Sequence, residues 1–509
     1  MRNVQRGRRS LIFAALAVAA SLLSAQAQAP VDLRVALVIG NSAYASAPLA
    51  NPANDARAMS DSLRGLGFTV VEARDASRAE MFAAIDSVGK ALAGRNGVGM
   101  LFYAGHGLQL DWRNYMVPVD ARLAQSADVP LQAVDVNQVI DTFKRAGNRM
   151  NILVLDACRD NPFLDAASGK GLSPVDAPTG TFLAYATAPG NVAADGDPAQ
   201  GNGLYTRFLL DEIKKPVSRI EDVFKRVRLQ VRKTSQGRQI PWESTSLEDD
   251  FYFNTGKVVA VAKPDPKSRE AAFLVEKAEW DKIRESQRAD DFYAYLQKYP
   301  NGLISEQAQA QLDRLDKARI EAQADRTGIR QGTAASRLRA GDSYEFVLKD
   351  GLTGVAIGTA RAELKRVSEF ELVGEATGMR SSRVTSEGFV LEDGNGKYDP
   401  PWPTTPGGEF QVGKKWSARS VFTPPNGGKS WVDIDAHISS RESVTVPLGT
   451  FNAYRIDYLF AFQDGRRIKS TFWYQPDLGY AVKFVREIRR NNTPDILIRE
   501  MTAYKRAAG

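Results

Sequence analysis

The stretch MLFYAGHG, residues 100–107, is an apolar run that ends in a histidine between two glycines. A second apolar run, ILVLDAC at residues 152–158, ends in a cysteine. Near-continuous apolar runs of this length are typical of strands buried on both faces of a parallel sheet. Functional residues of such sheets collect beyond the carboxyl ends of the strands. We therefore predict that His106 and Cys158 lie just past two buried strands, at one edge of the same sheet.

Strand and helix patterns alternate around these two runs, from residue 31 to residue 256. This alternation predicts an α/β domain with a mostly parallel sheet flanked by helices. Two sequences have the form of capping boxes that begin helices, Ser77 to Glu80 and Ser218 to Glu221. The predicted strands are 34–40, 69–73, 98–103, 151–155 and 182–187, and the predicted helices are 55–66, 77–92, 134–146, 205–214 and 218–232.

The rest of the chain changes character twice. Residues 257–269 contain the Pro and Lys residues typical of a linker, and residues 270–330 form a charged helical segment. Residues 336–507 alternate short Val-, Tyr-, Phe- and Thr-rich runs with Gly-rich turns, which predicts a C-terminal antiparallel β domain, a sandwich or a partly closed barrel. Either 270–330 or the β domain is a candidate surface for a protein partner.

The N-terminus has the pattern of a secretory signal peptide over residues 1–27. Four arginines precede an uncharged apolar stretch at 11–23, and small residues follow up to Ala27. An uncleaved anchor is the alternative, but a membrane-spanning helix needs roughly 20 apolar residues. Removal of the segment leaves a polypeptide predicted to be periplasmic or secreted, with no integral membrane segment. Its net charge falls from +7 by four arginines to +3, too little to indicate a nucleic-acid partner.

The chain contains one cysteine and two histidines, His106 and His437. A thiolate and an imidazole within hydrogen-bonding reach can act as nucleophile and general acid. The backbone N–H groups of Gly107 and Cys158 can bind the oxyanion that forms when a thiolate attacks a carbonyl. The alternative is a core thiol and a solvated loop histidine. A zinc site needs more Cys and His ligands than the chain supplies, so we predict no metal site.

These motifs resemble those of the caspase and metacaspase peptidases. YAGHG at 103–107 is followed by Cys158, 52 residues after His106, within DACR, and NPANDA at 51–56 is similar to bacterial members. The resemblance covers about residues 33–253. It implies a polypeptide substrate, Cys158 as nucleophile, His106 as general acid and base, and an oxyanion hole at Gly107 and Cys158.

The resemblance also implies a preference for a basic residue before the cut. Metacaspases cleave after Arg or Lys and use pocket acids, whose positions correspond to Asp156 and Asp55. Strand-end or helix-start roles are the alternatives for these two carboxylates. Arg159 and Ala104 depart from the usual metacaspase His and Ser. No cofactor is predicted; metacaspases often need calcium, and with Asp165 as a lone candidate ligand that dependence stays open.

Two other functions remain as alternatives to a peptidase. One is a catalytically silent caspase-fold scaffold that binds a partner. The other is a thiol redox sensor, which the lack of a second, resolving cysteine disfavours.

Overall fold

A computed structural model describes residues 33–111, 113–158, 177–187, 201–256, 266–327, 338–368, 371–406, 412–490 and 493–507. From Arg34 onward the chain forms one compact unit. The signal-peptide prediction for residues 1–27 lies outside the described residues. No helix in the described ranges is long and apolar enough to cross a bilayer.

The first part of the chain is a mostly parallel sheet in the order β2-β1-β3-β6-β7-β8, in which β8 runs antiparallel to β7. Off this path, β4 pairs antiparallel with both β3 and β5. Its strands are β1 (Arg34–Gly40), β2 (Thr69–Arg74), β3 (Val98–Leu110), β4 (Arg113–Met116), β5 (Val134–Asp135), β6 (Met150–Cys158), β7 (Thr181–Tyr185) and β8 (Trp242–Thr245). Its helices are α1 (Pro52–Gly65), α2 (Arg78–Leu92), α3 (Val129–Gln132), α4 (Val136–Ala146), α5 (Leu204–Ile213) and α6 (Ile220–Thr234).

Both faces of this sheet are covered by helices. Met100, Phe102 and Val154 lie in a core shared with α1, α5 and α6. On the other face, Gly99 lies close to Leu92 of α2 and Phe143 of α4. Strands covered on both faces consist of nearly continuous apolar residues, and this pattern is what predicted the buried strands from the sequence. The predicted α/β class with a mostly parallel sheet is confirmed.

Several predicted boundaries were wrong for local reasons. β3 continues through His106 and β6 extends to Cys158, so both residues lie within strands rather than just past them. Helix α6 begins at Ile220 with Arg219 as N-cap and no side-chain cap, so the predicted capping box at Ser218 does not form. Asp135 caps α4 by accepting a hydrogen bond from Asn137 N, and the two residues before α4 form β5.

The middle of the chain is helical, with α7 (Pro266–Ile283), α8 (Ala289–Lys298) and α9 (Ser305–Thr327). Helix α7 begins within the stretch predicted to be a linker, because proline fits the first turn of a helix. Leu229 of α6 joins the core of these helices, and Arg232 reaches Asp313 and Asp316 of α9.

The C-terminal part is a closed antiparallel barrel of twelve strands. β9 pairs with both β10 and β20 and so closes the ring, a step beyond the predicted sandwich or partly closed barrel. The inward side chains include Tyr344, Trp402, Trp416 and Tyr458. The strands are β9 (Ser343–Asp350), β10 (Ala356–Arg366), β11 (Glu371–Thr377), β12 (Ser382–Thr385), β13 (Val390–Asp393), β14 (Gly396–Trp402), β15 (Lys415–Thr423), β16 (Ser430–Val446), β17 (Gly449–Phe462), β18 (Arg467–Gln475), β19 (Tyr480–Arg490) and β20 (Thr493–Lys505).

The barrel packs on both preceding parts. The ring of Trp431 lies 5.8 Å from that of Phe273 on α7. Gly413 lies against the carbonyl of Thr245, at the end of β8, and Lys415 Nζ donates to Leu247 O at 3.4 Å. The barrel therefore lies beside the edge strand of the α/β sheet.

Candidate active site

The parallel pairing of β3 and β6 makes His106 and Cys158 register partners. Adjacent strands lie about 4.8 Å apart, so the two backbones meet directly across one rung of the sheet. Nothing is described of the Cys158 side chain, and Arg159 and Asp165 lie outside the described residues. The second histidine, His437, lies on β16 of the barrel opposite Lys415 and takes no part in this arrangement.

The imidazole of His106 is held by the loop that follows β1. Its Nε2 lies 2.7 Å from the carbonyl oxygen of Ala47, and its ring centroid lies 4.4 Å from that of Tyr44. Because a carbonyl oxygen only accepts, Nε2 carries the proton in this contact and Nδ1 is the nitrogen left to exchange one. Ala47 has a left-handed φ of 62°, which is uncommon for a residue other than glycine.

Two buried tyrosines hold the backbone of His106. The Tyr44 hydroxyl accepts a hydrogen bond from His106 N at 2.9 Å and donates to Val117 O at 3.0 Å. The Tyr103 hydroxyl donates to His106 O at 2.5 Å and accepts from Val117 N at 3.1 Å. Burial raises the pKa of Tyr44 to about 12, so its hydroxyl stays protonated at neutral pH.

Glycine is required at position 105 by this same network. Gly105 has a φ of 152°, and a Cβ there would lie 2.7 Å from the Tyr44 hydroxyl and 2.8 Å from that of Tyr103. The sequence motif YAGHG at 103–107 includes Tyr103, but the contacts of Tyr103 and Tyr44 with His106 were not predicted. The available signal was their position beside the strand ends, but the side-chain contacts are non-local.

Gly107 lies at the point where β3 changes partners. Up to His106 the strand pairs with β6, and from Gly107, opposite Met116, it pairs with β4. Gly107 is buried. The structure thus places this backbone directly beside the His106–Cys158 pair, while its oxyanion-binding role stays a prediction.

The two predicted pocket acids both contact the residues around the start of α5. Asp55, only 2% exposed, accepts at Oδ1 from Asn202 Nδ2 at 2.8 Å and Gly203 N at 2.9 Å. Asp156 Oδ2 accepts from the buried Thr206 hydroxyl at 2.6 Å. Asp55 therefore lies in the first turn of α1 and also accepts a backbone hydrogen bond from Gly203, just before the start of α5. Sequence reasoning did not identify Asn202, Gly203 or Thr206.

Among the residues that the structure describes, no group of three or more His, Cys, Asp or Glu side chains is placed to hold a metal ion.

A mostly parallel α/β sheet with His106 and Cys158 as register partners at its carboxyl edge is similar to the sheet of a caspase-like domain. The family model of the caspase domain matches residues 33–252. The human mucosa-associated lymphoid tissue lymphoma translocation protein 1 and its Mus musculus homolog are each 30% identical to the chain over 189 residues, 35% of this chain. The chain spans about a fifth of the length of these relatives, 22% of the human and 21% of the mouse protein.

Proposed function

We propose that this chain is an exported cysteine endopeptidase in which Cys158 is the nucleophile and His106 the general acid and base. The observation that carries the proposal is the register pairing of His106 with Cys158 at the carboxyl edge of a caspase-domain sheet. A chain that only binds a partner has no need of a fixed imidazole at that position.

The proposed reaction has two steps. His106 Nδ1 takes the thiol proton, the thiolate adds to the scissile carbonyl, and the N–H groups of Gly107 and Cys158 hold the oxyanion. His106 then gives the proton to the leaving amine as the C–N bond breaks. A water molecule, deprotonated by His106, cleaves the thioester, releases the acid and restores the thiol. The contact of Nε2 with Ala47 O supports Nδ1 as the proton carrier.

Fluorogenic peptides with Arg, Lys or Asp before the leaving group test this proposal, with and without calcium. Cys158→Ala and His106→Ala are expected to lower kcat/KM by at least about 1,000-fold. His437→Ala is the matched control and is expected to leave the rate unchanged. Hydrolysis that survives in Cys158→Ala, or no hydrolysis of any peptide, contradicts the proposal and favours the scaffold alternative.

We extend the proposal to cleavage after Arg or Lys, with Asp156 and Asp55 as the carboxylates that attract the basic side chain. Both carboxylates contact residues around the start of α5, and Asp156 lies two residues before Cys158 on β6, which supports this. Asp156→Asn is expected to lower kcat/KM for Arg peptides by about 10- to 100-fold, because a charge-assisted bidentate pair with guanidinium is lost. Asp61→Asn, an exposed change on α1, is the control. Cleavage after Asp alone would overturn the pocket assignment.

Export is the last part of the proposal, and the arginine-rich, then apolar, start of the chain supports it. Sequencing the N-terminus of protein recovered from the periplasm or medium of a bacterial host is expected to begin at Gln28. Recovery of the chain in the cytoplasm with its first 27 residues intact would contradict export.

A further inference from the structure

Two arginines, Arg486 and Arg499, lie on the inner face of the barrel. On β20, Arg499 is two residues before Met501, which is fully buried in the barrel core. On β19, Arg486 is two residues after Phe484, whose ring lies 4.8 Å from that of Phe472. Residues two apart on a strand share a face. Phe484 is also the register partner of Arg499, so the two arginines are close neighbours on paired strands.

Neither arginine has an acidic partner in the part of the chain that the structure describes. The Nε of each is buried without a hydrogen-bond partner. Arg499 contacts Met379 Sδ at 3.5 Å through Nη1, and its guanidinium lies 4.0 Å from the centre of the Phe484 ring. Burial, and to a lesser extent the charge of Arg486, lower the pKa of Arg499.

Two other enclosed arginines in the chain differ from this pair because each has an acidic partner. Arg419 pairs with Asp433 at 2.6 Å, and Arg232 pairs with two aspartates of α9. Asp350 lies two residues beyond Leu348 on β9. Its Oδ1 accepts hydrogen bonds from the N–H and the hydroxyl of Thr353. A buried charge without a partner is costly, so an anion from outside would satisfy both guanidinium groups.

The surroundings are suited to an anion that carries an apolar chain. Inward positions on the neighbouring strands are small, namely Gly358, Ala360 and Ala362 on β10 and Gly374 on β11. Leu348 is the register partner of both Arg499 and Gly358, which places this region by the β9–β10 hairpin. That hairpin region exposes Leu352, Val355 and Ile357, each more than 60% accessible. The Nε of each arginine is buried, but each residue as a whole keeps part of its surface exposed.

We propose that the barrel binds an anionic amphiphile, with its carboxylate or phosphate group held by Arg486 and Arg499. Guanidinium groups bind these oxyanions through paired N–H donors. The apolar chain of the ligand packs against Phe484, Met379 and the exposed side chains of the hairpin. The site is separate from the His106–Cys158 pair and does not depend on peptidase activity.

Calorimetric titration of the full chain tests this site with decanoate and decyl phosphate below their micelle concentrations. Decanol and inorganic phosphate are the matched probes for the chain and the anion alone. Both amphiphiles are expected to bind, each at least about tenfold more tightly than either matched probe. If decanol binds as tightly as decanoate, the anionic group is not recognised and the proposal is overturned. If inorganic phosphate binds as tightly as decyl phosphate, the apolar chain is not recognised and the proposal is overturned. If the protein binds vesicles that contain phosphatidylglycerol but does not bind soluble decyl phosphate, it recognises a membrane surface and not a single amphiphile, and the proposal is overturned.

Arginine variants locate the ligand. Arg499→Met and Arg486→Met are each expected to weaken decanoate binding at least about tenfold, and Arg499→Lys to weaken it less because the charge remains. Arg361→Met, an exposed change on β10, is the control and is expected to leave binding unchanged. Equal affinity in Arg499→Met and the wild type overturns the proposal.

Thermal unfolding separates ligand binding from a structural role for Arg499. Decanoate is expected to raise the Tm of the wild type but not that of Arg499→Met. Without ligand, Arg499→Met is expected to unfold at the wild-type Tm or above it, because it removes an unpaired enclosed charge. A lower Tm for both Arg499→Met and Arg499→Lys without ligand assigns the arginine a structural role and overturns the proposal.

Discussion

The polar groups of the two candidate sites, one in the α/β domain and one in the barrel, differ in whether they have hydrogen-bond partners within the described part of the protein. Around His106, the hydroxyl groups of Tyr44 and Tyr103 are bonded to backbone groups, and Nε2 contacts a carbonyl. Inside the barrel, Arg486 and Arg499 each retain a buried Nε without a partner among the described residues. The first arrangement holds the backbone and the ring of His106 in one geometry, whereas the second leaves guanidinium N–H groups that could donate to the anion proposed above.

The difference fits the two chemistries proposed above. Proton transfer needs reacting groups placed to within a fraction of an ångström, and this favours a network that is complete in the empty protein. Capture of an anion needs donors that are not already used by the protein. The preformed contacts fit the positioning role proposed for His106, and the N–H groups without a partner among the described residues fit the anion site proposed for the barrel.

The largest expected effect is on the free energy of unfolding, and it compares Arg232, which pairs with two acids, with Arg499, which has no acidic partner among the described residues. Arg232 lies 2.5 Å from Asp313 Oδ1 and 2.9 Å from Asp316 Oδ2, where α6 meets α9. Arg232→Met leaves two acids without their cation and is expected to lower the free energy of unfolding by about 3–5 kcal/mol. Urea denaturation measures this change beside Arg499→Met, which is expected to be neutral or stabilising. Similar losses in both variants would remove the contrast between the two arginines.

A second comparison uses one glycine from each region. Gly105→Ala places a Cβ within 2.8 Å of two tyrosine hydroxyls and is expected to lower the free energy of unfolding by about 2 kcal/mol. Displacement of His106 is expected to lower kcat/KM about 100-fold. In Gly358→Ala the nearest atom to the new Cβ, Leu348 Cδ1, lies 3.9 Å away, so both quantities should stay near wild type. Denaturation and peptide hydrolysis test the pair, and an active Gly105→Ala enzyme would disprove the constraint.

A smaller effect is expected from loss of one hydroxyl. Tyr44→Phe keeps the ring against His106 but removes the acceptor of His106 N, and kcat is expected to fall about tenfold with KM little changed. Tyr344→Phe removes a buried barrel hydroxyl that bonds Asp342 at 3.5 Å and should leave kcat unchanged. Equal kcat values in the two variants would show that the Tyr44 hydroxyl does not position the imidazole.

The smallest expected effect is the pH dependence due to His437 in the barrel. Its burial, and then the charge of Lys415, lower its pKa below the ordinary 6.5. As pH falls through 6.5 the unfolded chain takes up a proton that the folded barrel resists, so His437 reduces stability below 6.5 and has no effect well above it. The loss is below about 1 kcal/mol because the residue is partly exposed and solvent screens its charge.

The His437→Gln variant tests this sign. Its stability in urea is expected to fall less than that of the wild type between about pH 7.5 and about pH 5.5. A parallel decline in both proteins would assign the pH dependence to other groups.

The sequence predicted some features of the fold and of the site and missed others. The apolar runs at 100–107 and 152–158 were sufficient to predict buried parallel strands, and the family motif named His106 and Cys158. It did not predict that β3 would continue through His106 and change partners at Gly107, since that depends on pairing with β4. Closure of the barrel was also missed, because the pairing of β9 with β20 joins residues about 150 positions apart.

By itself, the sequence determined the α/β class, the charge balance, the single thiol and the positions of the predicted dyad, since these depend on local pattern and composition. Only the tertiary structure decided that Tyr44 and Tyr103 hold His106, that Asp55 and Asp156 meet around the start of α5, and that two arginines share the inside of the barrel. The physical reason is that hydrogen bonds and charge pairing act through space. Register and packing bring together side chains whose separation along the chain carries no sign of the contact.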